Sequence, residues 1–137
     1  MKTVMISGHF DPFTDAHLDY IFQAMNYGSY MMCVVSSDKQ LEMKKGKVNI
    51  PAVGRVRILD LILTGLHLQH RAVVNMFDED TTLVANALRW WDPDIFCRGG
   101  DKTLDTMPPG ERAVCDEFGI KIVHAEFRID RHGGNFK

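Results

Sequence analysis

Apolar residues recur along this chain in two rhythms that alternate. Short runs at Val4 to Ile6, Tyr30 to Val35, Ala72 to Val74, Asp94 to Cys97 and Ile120 to Ala125 have the length and composition of buried strands. Between them apolar positions return every three or four residues, the spacing of one helix face. Leu18, Ile21, Phe22 and Met25 predict a first helix that starts near Asp15 and ends by Gly28. Pro51 suits the first turn of a second helix, whose Val56, Leu59, Ile62 and Leu63 point inward. Thr81 to Trp91, capped near Asp80, and Glu111 to Phe118, stopped by Gly119, supply two more. Strands apolar on both faces and separated by amphipathic helices predict one doubly wound, Rossmann-like α/β domain of about five parallel strands, with helices on both faces. In such a sheet ligands bind beyond the carboxyl ends of the strands.

Composition narrows the classes of function. The 137 residues suit a single domain, and the 45% apolar content is that of an ordinary globular protein. A net charge of −2 advertises no basic surface for nucleic acid or an anionic membrane. No apolar run approaches the ~18 residues of a transmembrane helix, and the amino-terminal MKTVMIS does not resemble a signal peptide. Cys33, Cys97 and Cys115 form no C-x-x-C pair, so neither a zinc site nor a redox pair is indicated. Cys33 and Cys97, inside apolar runs, read as reduced core residues, and a cytoplasmic location follows as the default. His67, His70, His124 and His132 lack metal-ligand spacing and read as surface or loop residues. Trp90-Trp91 reads as core or dimer contact, and the acidic run Asp78-Glu79-Asp80 as a solvated turn with helix capping.

Three segments carry candidate chemistry, each at the carboxyl end of an expected strand. After Ser7-Gly8 a tight loop leads into the first helix, so backbone N–H groups and a helix N-terminus converge on one point suited to phosphate. Thr14 and His17 share a face at that helix entrance. Ser36 to Arg57 reads as a basic loop holding Lys39, Lys44, Lys45 and Lys47, where each lysine is either a phosphate contact or a solvated charge. Arg98-Gly99-Gly100-Asp101 allows close backbone approach, a phosphate fork and an acceptor for ribose hydroxyls, or a simple turn. Neither Gly-x-Gly-x-x-Gly nor a P-loop motif is present.

Gly8-His9-Phe10-Asp11 followed by Thr14-Asp15-Ala16-His17 resembles the Gly-x-Phe-Asp and (His/Thr)-x-Gly-His signature of the nucleotidyltransferase superfamily, which includes cytidylyltransferases, phosphopantetheine adenylyltransferases and ADP-heptose synthases. Ala16 stands where glycine is usual, and His9 where a small residue is frequent. Ser37-Asp38, Lys44-Lys45-Gly46 and Arg55 follow the order of the sugar- and glycerol-phosphate branches, with Gly54 in place of a glutamate that usually partners the arginine. The Arg98 to Asp101 loop and the run Phe77 to Thr81 resemble the nucleotidyltransferase domain of ADP-heptose synthases. The resemblance implies a domain over residues 1–127 and a tail over 128–137 that lacks the family's Ser/Thr-rich segment.

The resemblance implies transfer of a nucleoside monophosphate from ATP or CTP to a small phosphorylated acceptor, a sugar phosphate, with release of pyrophosphate. His17, Thr14 and Lys44 are then catalytic. Gly8, His9, Phe10, Asp11, Lys45, Arg98, Gly99, Gly100 and Asp101 join them around the nucleotide, while His9 and Arg55 serve the acceptor. Mg²⁺ arrives with the triphosphate, and no metal site of the protein's own is expected. A homodimer is implied, with neither nucleic acid nor membrane as partner. Glycerol-3-phosphate-type cytidylyl transfer, or nucleotide binding without turnover, are the alternatives.

Overall fold

The computed structural model describes residues 1–77, 84–99 and 104–126. The acidic run at 78–80, the expected helix start at Thr81, Gly100, Asp101 and the tail at 128–137 lie outside the described residues. The elements run β1 (Thr3–Gly8), α1 (Asp15–Met25), β2 (Tyr30–Ser36), α2 (Asp38–Lys45), α3 (Ala52–Gly65), β3 (Ala72–Phe77), α4 (Ala85–Trp91), β4 (Ile95–Arg98), a 3₁₀ turn (Leu104–Thr106), α5 (Pro109–Phe118) and β5 (Lys121–His124).

The strands form one parallel sheet in the order β3-β2-β1-β4-β5. The doubly wound fold is therefore the one the apolar pattern predicts. Alternation along each strand divides the core in two. Val4, Ile6, Met31, Cys33, Val35, Ile95 and Cys97 join Ile21 of α1 with Leu59 and Leu63 of α3 on one face. Met5, Met32, Val34 and Phe96 join Leu88 of α4 with Val114 and Cys115 of α5 on the other. Leu59 is fully buried, so truncating it to alanine removes about 2–5 kcal/mol of stability.

Order reverses at β1, whose neighbours are β2 on one side and β4 on the other. That reversal opens a crevice at the carboxyl ends of β1 and β4, the place where open α/β sheets hold ligands.

Two local expectations are corrected. On α1 the buried residues are Tyr20, Ile21, Gln23 and Ala24, while Phe22 is exposed. The helix is turned because Tyr20 and Gln23 find polar partners inside. The Tyr20 hydroxyl donates to the Cys97 carbonyl, and Gln23 Oε1 accepts from Glu126 N at 2.6 Å. Within the segment read as a basic loop, Asp38–Lys45 is in fact α2. Ser37 caps it by accepting from Gln40 N at 3.1 Å while Gln40 Oε1 accepts from Ser37 N at 3.0 Å. Gly46 ends it in the left-handed region, with φ at 82°.

Candidate functional site

Beyond Gly8 the chain turns through Phe10, whose φ of 51° is a left-handed conformation that residues with a Cβ rarely adopt. Burial holds it there. Phe10 is 2% exposed, its ring edge-on to His17 at 5.0 Å and stacked on Phe13 at 6.1 Å between centroids. A Cβ on Gly8 would stand 3.1 Å from that ring, so the glycine is what lets the ring fold back under the loop. Phe10 thus serves the core with its side chain and can face a ligand only through its backbone.

Asp11 acts as a clamp. Its Oδ2 accepts from Asn49 N at 2.8 Å and its Oδ1 from Ile50 N at 2.7 Å, which fixes the approach to α3 against the loop. Both carboxylate oxygens are thereby engaged by the protein's own backbone.

Thr14 is the N-cap of α1, and His17 sits at the third helical position. His17 Nδ1 lies 2.9 Å from Thr14 N and 3.3 Å from Thr14 Oγ1. A backbone N–H can only donate, so Nδ1 is an acceptor and the proton of the neutral ring belongs on Nε2. The helix cap therefore makes His17 a donor at its far nitrogen. The two residues meet as the helix spacing anticipates, at the positive end of α1.

The resemblance places Arg55 at the acceptor, and the structure corrects this. Its side chain is fully buried. Nε donates to Ile50 O at 2.7 Å, Nη1 to His9 O and Ser36 O, each at 2.9 Å, and Nη2 to Asp38 Oδ1 at 2.8 Å. The expectation that Gly54 leaves this arginine without a carboxylate fails as well, because Asp38 supplies one from α2. Arg55 is the tie that holds the first loop, the end of β2, the start of α2 and the approach to α3 together.

His9 Nδ1 lies 2.7 Å from Ser36 Oγ, which also stands 3.3 Å from Arg55 Nη1. His9, Asp11, Leu41, Lys45, Lys47 and Asn49 line an open cleft of about 300 Å³. Lys45 reaches this cleft from the last turn of α2. Lys44, one position earlier and about 100° around the helix, is exposed but not part of its wall.

On the far side of the crevice Arg98 ends β4, is 5% exposed, and its Nη1 lies 3.2 Å from His124 Nε2 on β5. A guanidinium cannot accept, so His124 accepts and is neutral. Burial, then the Arg98 charge, holds its pKa below the usual histidine value. His124 is a partly buried strand residue, contrary to its reading as a surface or loop histidine. Gly99 follows Arg98 at the strand end.

No thiol competes as a nucleophile among the described residues. Burial pushes Cys97 up to about 12 and Cys115 to about 11, and raises Cys33 as well. Among the described residues no group of three or more His, Cys, Asp and Glu side chains is placed to hold a metal ion. Among the described residues no helix is long and apolar enough to cross a membrane.

Sequence reasoning missed Ser36 and His124 as parts of this site, and gave Asp38 no role beyond its place in the motif order. The Ser37-x-x-Gln40 capping box, legible in the sequence, would have turned the basic loop into a helix and brought Asp38 to its first turn.

The chain is 30% identical over 121 residues to the bifunctional protein HldE of Geobacter sulfurreducens, covering 88% of this chain and 23% of that protein. It is 29% identical over 129 residues to the D-beta-D-heptose 1-phosphate adenylyltransferase of Bordetella bronchiseptica, covering 93% of this chain and 75% of that protein. The chain thus spans about a quarter of the bifunctional relative. In fold it matches a lipopolysaccharide core biosynthesis protein from Thermoplasma volcanium GSS1 with a TM-score of 0.69, at 23% identity over 92% of this chain and 97% of the other. Residues 5–131, nearly the whole sheet and its helices, match the sequence profile of the cytidylyltransferase-like proteins, and the chain belongs to that family.

Proposed function

We propose that this protein is a nucleotidyltransferase that moves a nucleoside monophosphate from a nucleoside triphosphate to a sugar phosphate and releases pyrophosphate. The observation that carries this reading is the cap of α1, which leaves His17 with its donor on Nε2 at a helix N-terminus beside the Gly8–Asp11 loop. The names of the relatives, one an adenylyltransferase of heptose 1-phosphate, support the reaction class and favour a sugar 1-phosphate with ATP over CTP.

In this mechanism a phosphate oxygen of the acceptor attacks the α-phosphorus in line, and the bond to the β-phosphate oxygen breaks. Positioning and charge stabilisation carry such a transfer, and no covalent nucleophile is required. His17 donates to the α-phosphate as charge develops there, seconded by Thr14. Lys45, on the cleft wall, neutralises the phosphates and the departing pyrophosphate, and Lys44, off that wall, does not. The Gly8, His9 and Phe10 backbone lies along the phosphates, and Arg98 with Gly99 flanks the nucleoside side; Gly100 and Asp101 belong to the same reading. Asp11 and Arg55 hold the loops and touch no substrate.

A magnesium ion would arrive as the counter-ion of the triphosphate, whose oxygens hold it. A homodimer in the cytoplasm completes the proposal. It is supported by the apolar side chains of Val53 and Leu61, 71% and 66% exposed on α3, and is read out as solution mass. The deciding experiment crosses four nucleoside triphosphates with hexose and heptose 1-phosphates, glycerol 3-phosphate and phosphopantetheine, and measures pyrophosphate. Turnover with a sugar 1-phosphate is expected. Turnover only with glycerol 3-phosphate and CTP overturns the sugar, and a bound nucleotide with no turnover anywhere overturns the reaction.

A further inference from the structure

We propose that His9 determines acceptor specificity, its Nε2–H donating to the phosphate of a phosphomonoester seated in the cleft between the first loop and α2. The proposal rests on the nucleotidyltransferase reading and adds to it a residue for the acceptor side. Its basis is a relay of side chains behind the imidazole. Arg55, a donor only, reaches Ser36 Oγ at 3.3 Å from the buried side. Ser36 Oγ lies 2.7 Å from His9 Nδ1 and, being a hydroxyl, can give this nitrogen its proton or take one from it. In the tautomer proposed Ser36 donates to Nδ1, and the proton of the neutral ring is on Nε2. A backbone N–H fixes the His17 tautomer outright, whereas at His9 it is the Arg55 cation behind the hydroxyl that favours turning the Ser36 proton toward the ring.

The cleft suits a phosphomonoester. Lys45 and Lys47 bring positive charge to its wall, and Leu41 and Asn49 offer an apolar contact and an amide for the remainder of the ligand. Asp11 also lines it, but each of its oxygens already accepts a backbone N–H, which draws its charge toward the approach to α3. Lys45 is shared with the triphosphate, whereas the His9 side chain serves the acceptor alone.

Two substitutions separate this role from a structural one. A glutamine amide reaches the position of Nε2, and an asparagine amide that of Nδ1. His9→Gln keeps the donor and loses the Ser36 tether, while His9→Asn keeps the tether and loses the donor. The expected result is an acceptor KM within ~3-fold of wild type for His9→Gln and raised ~10–100-fold for His9→Asn, the usual loss for one hydrogen bond to a charged group. The triphosphate KM stays within ~3-fold in both, because the change is confined to the acceptor. The reverse order, Asn tolerated and Gln not, overturns the proposal in favour of a tether. Calorimetry with a hexose 1-phosphate alone, without nucleotide, separates this proposal from the reaction. Binding by wild type that His9→Asn weakens upholds the site even if no pyrophosphate is ever released. Turnover with unaltered acceptor binding in His9→Asn overturns the site and leaves the reaction standing.

Discussion

Arg55 and Asp38 form an ion pair that crosses from core to surface: Nη2 donates to Oδ1 at 2.8 Å, with the arginine side chain fully buried and the aspartate half-exposed. The same Oδ1 accepts Ala52 N at 2.9 Å, so Asp38 belongs to the first turn of α2 and also secures the start of α3. The asymmetry decides what each partner is worth. Without Arg55, the carbonyls of His9, Ser36 and Ile50 lose their donors, whereas a half-exposed Asp38 can turn to water.

Arg55→Ala is therefore expected to cost about 3–5 kcal/mol, and Asp38→Asn, which keeps an acceptor oxygen, about 1 kcal/mol. Urea midpoints at constant slope measure both. Equal losses for the two variants would mean that the ion pair itself, and not the carbonyl tie, holds these loops.

The strands and most helices were legible because burial on both faces leaves continuous apolar runs, and those runs carry little ambiguity at these lengths. α2 was not, because Leu41 is its one buried apolar residue and Gln40 is buried for its cap. A helix held by capping instead of an apolar stripe hides from a search for periodicity. The site was readable as far as spacing within one helix reaches, as with Thr14 and His17. Contacts such as Arg55 with His9, Ser36 and Asp38, or Arg98 with His124, join segments that only the sheet order brings together. Arg55 misled because an arginine near lysines looks like one more phosphate contact, and nothing local shows that it points into the core.

The Lys44 and Lys45 pair separates by geometry. Lys45 lines the cleft and Lys44 does not, so Lys45→Ala is expected to raise the triphosphate KM and lower kcat, together by ~10-fold or more in kcat/KM. Lys44→Ala should change either constant by no more than ~2-fold, the behaviour of a solvated surface charge. Steady-state kinetics on both single variants check this. A larger loss at Lys44 would move the phosphates to the other side of α2.

Acid should weaken the fold through His124. Burial and Arg98 depress its pKa in the folded state, so the unfolded chain binds this proton more readily. The stabilisation is fully present above the unfolded value, near 6.5. It is lost as pH falls from there through the depressed folded value. Asp94, lowered chiefly by the Thr3 backbone N–H that donates to it, adds a second loss below the ordinary aspartate value of 3.8. His124→Gln keeps an acceptor for Arg98 without titrating, and should remove the first step while leaving the second. Melting temperatures from pH 8 to about 2 measure both steps. A variant whose profile still bends near pH 6 would assign that step to another histidine.

His17 has two roles in this structure, a cap for α1 and a donor to phosphate, and they can be parted. His17→Ala removes both. The cap alone is worth about 0.5–2 kcal/mol, and the donor about 10²–10³ in kcat. His17→Glu keeps the cap, since a carboxylate at the third helical position accepts the Thr14 N–H as Nδ1 does at 2.9 Å. It offers no donor and puts negative charge where the phosphate must lie. The expected pattern is a melting temperature near wild type for His17→Glu, a lowered one for His17→Ala, and a kcat down by at least ~10² in both. Pyrophosphate release and a melting curve on the same preparations read the two roles separately. A His17→Glu protein that folds like wild type and turns over at a near-normal rate would show that this histidine only caps the helix, and the proposed chemistry at the α-phosphate would have to be abandoned.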